Sequence, residues 1–159
     1  MILKTTIDQE LRSLGHFTAD DGPRSATLAV GDAELVVRLQ ALDSMACEFE
    51  EIQLASPRLV DATFDQLLSL ATAIIDRLTY LYEPLAVIES DQEARIIQLR
   101  SSVPSREDGR TCYFEVMLGT DGVSVKRYAS VNKRRRVEPA QVTHQVLCRL
   151  SNDLLSVVQ

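Results

Sequence analysis

The residues in this 159-residue sequence whose types could do chemistry are a cluster of carboxylates, two histidines, three cysteines and one run of bases. The acids gather at Glu48-Phe49-Glu50-Glu51. On an extended strand Glu48 and Glu50 share a face, the arrangement of a general acid–base pair or a hard-cation site. The same alternation sets them opposite Cys47 and Phe49, so a plain solvent face is the stronger expectation. Asp61 and Asp65 stand one turn apart at the start of a predicted helix, where capping and the helix dipole account for them. His16 and His144 have no HxxxH, HExxH or CxxC company. No metal site and no cofactor is therefore expected. Cys47, Cys112 and Cys148 are odd in number, widely spaced and set in apolar stretches, and they read as small core residues. A Cys112 thiolate activated by His144 is the sharper alternative, and nothing beside either residue supports it.

Phosphate-cradling and nucleophile motifs are missing: there is no GxGxxG, no GxxxxGK[ST] and no GxSxG. Missing catalytic constellations point away from an enzyme. The chemistry that remains is electrostatic. The formal charge is −6, yet residues 1–93 carry −11 and residues 94–159 carry +5. Six bases fall between positions 126 and 136 with no acid among them: Lys126, Arg127, Lys133, Arg134, Arg135 and Arg136. Three uses compete for this run. It can neutralise Glu138 and nearby carboxylates of the same molecule, as surface charges commonly do. It can dock an acidic partner, including the first half of a second copy. It can hold phosphate or nucleic acid. The acidic whole and the scarcity of aromatics (four Phe, four Tyr, no Trp) disfavour nucleic acid.

The elements that must carry these residues follow from two rhythms. Leu3, Ile7, Leu11, Leu14 and Phe17 recur every three or four positions, one face of a short helix that Gly15 can end. Leu35, Val37, Leu39 and Ala41 alternate with Glu34, Val36, Arg38 and Gln40 after the Gly31-Asp32 connection, which predicts a hairpin. A third strand covers 46–55, where a bulge near Glu50-Glu51 restores a common face. A long central helix runs from an Asp61 cap through Phe64, Leu67, Leu68, Ala71, Ile74, Ile75, Leu78, Leu81 and Tyr82 to Pro84. Its closing Tyr80/Tyr82 pair reads as core rim. Strands are expected at 85–89 and 94–101, a polar loop at 103–109, and a second hairpin at 111–118 and 123–129 around Gly119-Thr120-Asp121-Gly122. Pro139 suits the first position of a last helix striped by Val142, Val146, Leu147, Leu150, Leu154, Val157 and Val158. The order is α-βββ-α-ββββ-α, a single α+β domain over 1–159 with an antiparallel sheet. Both halves run strands and then a helix, without a residue-level repeat.

No apolar run approaches the length of a membrane span, and the N-terminus lacks a basic stretch followed by a long apolar one. With three cysteines whose number and spacing suggest no disulfide framework, this leads to the expectation of a cytoplasmic protein. A small acidic chain with the stripe from Phe64 to Tyr82 between two strand groups resembles the type III secretion chaperones. That resemblance implies a non-enzymatic homodimer that holds an extended client segment across apolar patches. It transfers no residue roles, and the run Lys133–Arg136 departs from the acidic surface usual in those chaperones. The functional expectation is a non-catalytic protein-binding module, self-associating or holding a protein segment by its sheet edges or apolar grooves. An anion or nucleic-acid binder acting through 126–136 is the alternative, and a small enzyme using Glu48, Glu50 and a histidine is the third.

Overall fold

Tight turns and alternation build the sheet. In a computed structural model that describes residues 2–159, with side chains from Thr6 onward, β1 (Arg24–Val30) turns through Gly31-Asp32 into β2 (Ala33–Leu42). β3 (Ala46–Ala55) follows, antiparallel to β2. The register slips at Gln40 and again at Glu50, each an extra residue with no partner on the other strand. These slips let Leu39, Leu42, Cys47, Phe49 and Ile52 all reach the same core, so the bulge expected near Glu50 is present. Leu3 of the predicted stripe lies outside the described side chains. Ile7, Leu11 and Leu14 of that stripe lie on α1 (Ile2–Leu14), which buries Ile7 and Leu11 and ends at Gly15, whose φ is +69°; Phe17 falls beyond the helix and is buried instead through a bridge to Leu42 at the end of β2.

The central segment departs from expectation. Ser56 caps a short α2 (Pro57–Val60), and Asp61 closes that helix instead of opening the next. Thr63 caps α3 (Phe64–Arg77): its side chain accepts from the Gln66 amide, and the Gln66 side chain accepts from the Thr63 amide. The helix stops at Leu78, ahead of Tyr80 and Tyr82. Tertiary contacts explain the early stop. Tyr80 donates to Asp153 at 2.7 Å, whereas Tyr82 reaches Gln141 and Arg127. Side chains two apart on a helix point about 200° apart, so an unwound chain is needed to deliver both.

After α3 come β4 (Leu85–Asp91), β5 (Ile96–Ser101), β6 (Ser105–Glu107), β7 (Arg110–Gly119), β8 (Gly122–Val131), β9 (Arg134–Val137) and β10 (Ala140–Thr143). The last helix, α4 (His144–Val158), begins at a Thr143 cap and not at Pro139, because 140–143 is drawn onto β3 as a strand. Four strands were expected here. The polar loop instead holds β6, and the basic run holds β9.

All pairings are antiparallel, in the order β1-β2-β3-β8-β7-β5-β4, with β10 on β3, β6 on β7 and β9 on β8. The fold is α+β. The helices cover one face, on which one continuous buried cluster runs from Ile7 to Val158. The order reads alike outward from the β3/β8 seam: β3, β2, β1 on one side and β8, β7, β5 on the other. Each trio leads to a threonine-capped helix that packs on the opposite half. Thus α3 packs on β4, β5 and β7, while α4 packs on β3 and β10. At the outer ends the symmetry fails, since α1 packs along β1 whereas the other half adds a fourth strand, β4, beyond its trio. No helix among the described residues is long and apolar enough to cross a membrane.

Gly122 holds the seam. Its φ is +140°, and a side chain there would run into the Leu54 carbonyl of β3. Gly122→Ala is therefore expected to cost at least about 1–3 kcal/mol, read as a lower urea midpoint. An unchanged midpoint would show that the two halves do not meet this closely.

Candidate functional site

The sheet forks at Arg127. β3 and β8 pair only from Ile52↔Val125 to Leu54↔Val123. Past that point β9 takes over β8 at Tyr128↔Val137, and β10 takes over β3 at Phe49↔Ala140. The Glu138 amide, at the corner between β9 and β10, donates to the Arg127 carbonyl at 2.8 Å. Alternation with Val123 and Val125 turns the Arg127 side chain toward the helices, where it is 5% exposed.

A charge buried so deeply needs a partner with matched geometry. Glu83, 4% exposed, supplies it through two guanidinium–carboxylate contacts of 3.0 Å each. The rings of Tyr82 and Phe114 lie 4.7 and 4.6 Å from the guanidinium carbon. Ser101 donates to Glu83 Oε1 at 2.7 Å, Ser105 donates to Oε2, and the Phe114 amide donates to the Ser101 hydroxyl at 2.8 Å. Burial opposes ionisation of Glu83, but the hydrogen bonds from Arg127, Ser105 and Ser101 outweigh it and hold its pKa below the ordinary 4.5. Tyr82 completes the knot by donating to the Gln141 carbonyl of β10. A cavity of about 390 Å³ opens beside it, with Arg110 and Glu138 paired at 2.9 Å on its wall. Its guanidinium groups are matched by carboxylates, so the cavity offers an anion no spare charge.

Carboxylates also hold the open face. Glu115 accepts from Arg100 at 3.0 Å and from Arg135 at 2.8 Å. Arg100 lies over Tyr113 and Arg135 over Tyr128, and the two rings stack at 5.9 Å. Burial again opposes ionisation of Glu115, and the bonds from Arg100 and Arg135 again keep its pKa below 4.5. Lys126 pairs with Glu51 at 3.3 Å, and Arg38 pairs with Glu50 at 2.8 Å.

The six bases of the run therefore do not share one surface. Lys126 and Arg135 lie on the open face, paired with Glu51 and Glu115, while Arg127 is buried against Glu83. Arg134 and Arg136 sit opposite Val131 and Ala129, on the helix-facing side of β9. Lys133 occupies the turn, where it and Asn132 both have positive φ. Lys133, Arg134 and Arg136 are exposed and hold no ion pair among the described residues. Glu138, the acid expected to neutralise Arg134–Arg136, is taken by Arg110.

The other sequence candidates disperse as well. Glu50 pairs with Arg38, whereas Glu48 lines a cavity with His16 and Asp43. Both histidines line a neighbouring cavity of about 520 Å³ with Asp8 and Asp43. His144 Nε2 is buried there without a hydrogen-bond partner. Cys112 lines the cavity at the fork, so the Cys112–His144 pairing does not assemble. All three cysteines are buried, and burial pushes the Cys47 thiol up to about 12. Among the described residues no group of three or more His, Cys, Asp and Glu could hold a metal ion.

The edge of β4 exposes apolar side chains. β4 pairs with β5 on one side only, and Val87 and Ile88 are 45% and 46% exposed. The register slip in β4 sets both of them against the single Leu99, while Ala86 lies beside Arg100 and Glu89 beside Gln98. Leu68 of α3 and Ile96 of β5 are further exposed apolar residues on the elements flanking β4. The knot fixes where this strand starts: Glu83 is anchored two residues before Leu85, and the Pro84 carbonyl accepts from the Ser102 amide at 2.8 Å. Nothing in the sequence pattern singled out Glu83 or Ser101; a buried acid looks like any other until its partner is placed.

Comparison with known protein families, with curated proteins and with solved structures found no match to the chain.

Glu83→Gln leaves Arg127 buried and uncompensated, so it is expected to cost about 3–5 kcal/mol by urea unfolding. Glu83→Leu combined with Arg127→Met is expected to recover much of that loss. The carboxylates of Glu83 and Glu115 are depressed in the folded state. Their contribution is present above pH 4.5 and lost as pH falls through the lower folded values. The fall in stability below pH 4.5 should be shallower in Glu83→Gln, and an identical acid limb would contradict the assignment.

Proposed function

We propose that the protein is a non-catalytic binding domain that accepts an extended polypeptide segment by strand addition on the free edge of β4. The observation that carries this reading is the inequality of the two sheet ends. Both end strands pair on one side only, but α1 packs along β1, which exposes no large apolar side chain, whereas β4 leaves Val87 and Ile88 half exposed. An unpaired edge strand presents main-chain donors and acceptors that another strand can satisfy, and adjacent apolar side chains supply selectivity. Glu89 and Asp91 on the same strand disfavour segments that bring carboxylates to those positions. This mode of binding needs no catalytic group. It also agrees with the client-holding role that the resemblance to type III secretion chaperones implies. Three cysteines that form no disulfide with one another suit a reducing cytoplasm as the place of action.

A second reading draws on the β8–β9 hairpin, where Lys133, Arg134 and Arg136 carry charge that no carboxylate among the described residues engages. A polyanion such as RNA or heparin would meet them there. Retention on heparin at low salt, lost when Lys133, Arg134 and Arg136 become Ala, would favour this reading; equal elution of both proteins would remove it.

Strand addition is tested by a photo-crosslinking amino acid placed at Val87 in the full chain and, as a control, at Gln53 on the exposed face of β3. The expected result is a discrete polypeptide adduct from Val87 and none from Gln53. Equal adducts at the two positions, or none at Val87, would contradict the assignment.

A further inference from the structure

We infer that the segment accepted by the β4 edge is β4 of a second copy of this chain, joined antiparallel about a two-fold axis between Val87 and Ile88. This rests on the strand-addition reading above and names its partner. An isologous contact must be self-complementary in face and in charge, and one register of β4 on itself meets both demands. The slip in the β4–β5 ladder puts Val87 and Ile88 against Leu99, whose side chain lies in the core, and puts Ala86 and Glu89 beside Arg100 and Gln98 of the open face. If Val87 opposes the partner's Ile88, then Ala86 opposes the partner's Glu89 and Leu85 opposes the partner's Ser90. Apolar residues then meet on the helix side, and no acid meets its own copy. Shifting the register by one residue sets the open-face residues of one strand against helix-side residues of the other.

Charge favours the same register. Glu89 carries no ion pair among the described residues. Opposite Ala86 of the other copy it stands two strand spacings, about 10 Å between backbones, from the partner's Arg100. The Ala86 methyl leaves the space between them open. Arg100 is one-third exposed at its side chain, and its Nε is buried without a hydrogen-bond partner. Each copy would thus give one carboxylate to the other's arginine. Pro84 bounds the contact at one end, and the turn in which Asp91 accepts from the Ala94 amide at 3.0 Å bounds it at the other.

The experiment is light scattering coupled to size exclusion over a wide concentration range, together with disulfide mapping. The expected result is a concentration-dependent dimer that Ile88→Lys converts to monomer while thermal unfolding in dilute protein, where both are monomeric, stays unchanged. Ala86→Cys mixed with Glu89→Cys should crosslink under mild oxidation, and Ala86→Cys alone should not. A monomer at every concentration, or a dimer that Ile88→Lys leaves intact, would overturn self-pairing. A monomer that still yields a Val87 photo-adduct with a different polypeptide would overturn the second copy as occupant and leave strand addition standing. Crosslinking of Ala86→Cys with itself in place of the mixed pair would overturn the register.

Discussion

An arginine buried at a fork in a β-sheet constrains the rest of this molecule. At Arg127 the β3/β8 ladder opens, and β9 and β10 enter the gap. An unpaired guanidinium there would carry a desolvation cost of several kcal/mol. Glu83, Ser101, Ser105 and two aromatic faces remove that cost by drawing together the end of the α3 connection, β5, β6, β7 and β8. Their convergence fixes the entry of β4 into the sheet, because Glu83 and Pro84 are anchored just before the strand begins. A pair deep in the fold thereby sets the position of a strand at its margin. Replacing such a pair with apolar residues of similar volume often leaves a protein as stable or more so. Positional specificity is thus the clearest gain from keeping the charges.

The open face follows the same logic at lower stakes. Glu115 beside Arg100, Glu51 beside Lys126, and Glu50 beside Arg38 form pairs across neighbouring strands, and Arg135 reaches Glu115 across β8. Lys126, Arg127 and Arg135, half of the conspicuous basic run, are spent this way. Two of these pairs join the acidic first half of the sequence to its basic second half, while Glu115 and Glu138 answer arginines of their own half. Glu83 and Glu51 come from the first half, and Arg127 and Lys126 from the second. The near-symmetry about the β3/β8 seam gives this a structural form. Two strand trios and two threonine-capped helices are joined within one chain, much as two copies would be in a dimer, and any further copy must meet the outer edges.

Residues whose periodicity records burial were legible in the sequence. Leu35, Val37, Leu39, Phe114, Val116 and Leu118 alternate and are buried, and Leu67, Ala71 and Ile74 share a buried helix face. Short polar strands were not legible. β6 and β9 read Ser-Arg-Glu and Arg-Arg-Arg-Val and bury no side chain, so no hydrophobic rhythm marks them. The turn into β9 uses Asn132-Lys133, both in the left-handed region, without the glycine that usually signals such a turn. The turn into β7 does carry Asp108-Gly109, but between flanks that lack apolar alternation. Helix ends were misplaced where tertiary partners won: Tyr80 and Tyr82 unwound the end of α3, and β3 took 140–143 from the start of α4. Alternation with Val123, Val125 and Ala129 sets Arg127 on the apolar face of β8, but nothing in the sequence marks Glu83 as its partner or the end of the β3/β8 ladder beside it.

Amide hydrogen exchange, resolved by residue and recorded at low and at high protein concentration, addresses the binding edge most directly. Backbone amides on the outer side of β4 should exchange rapidly in dilute protein and become protected at high concentration, while those of β1 keep the same protection throughout. Outer-edge β4 amides already protected in dilute monomer, or protection gained on β1 and not on β4, would contradict the account.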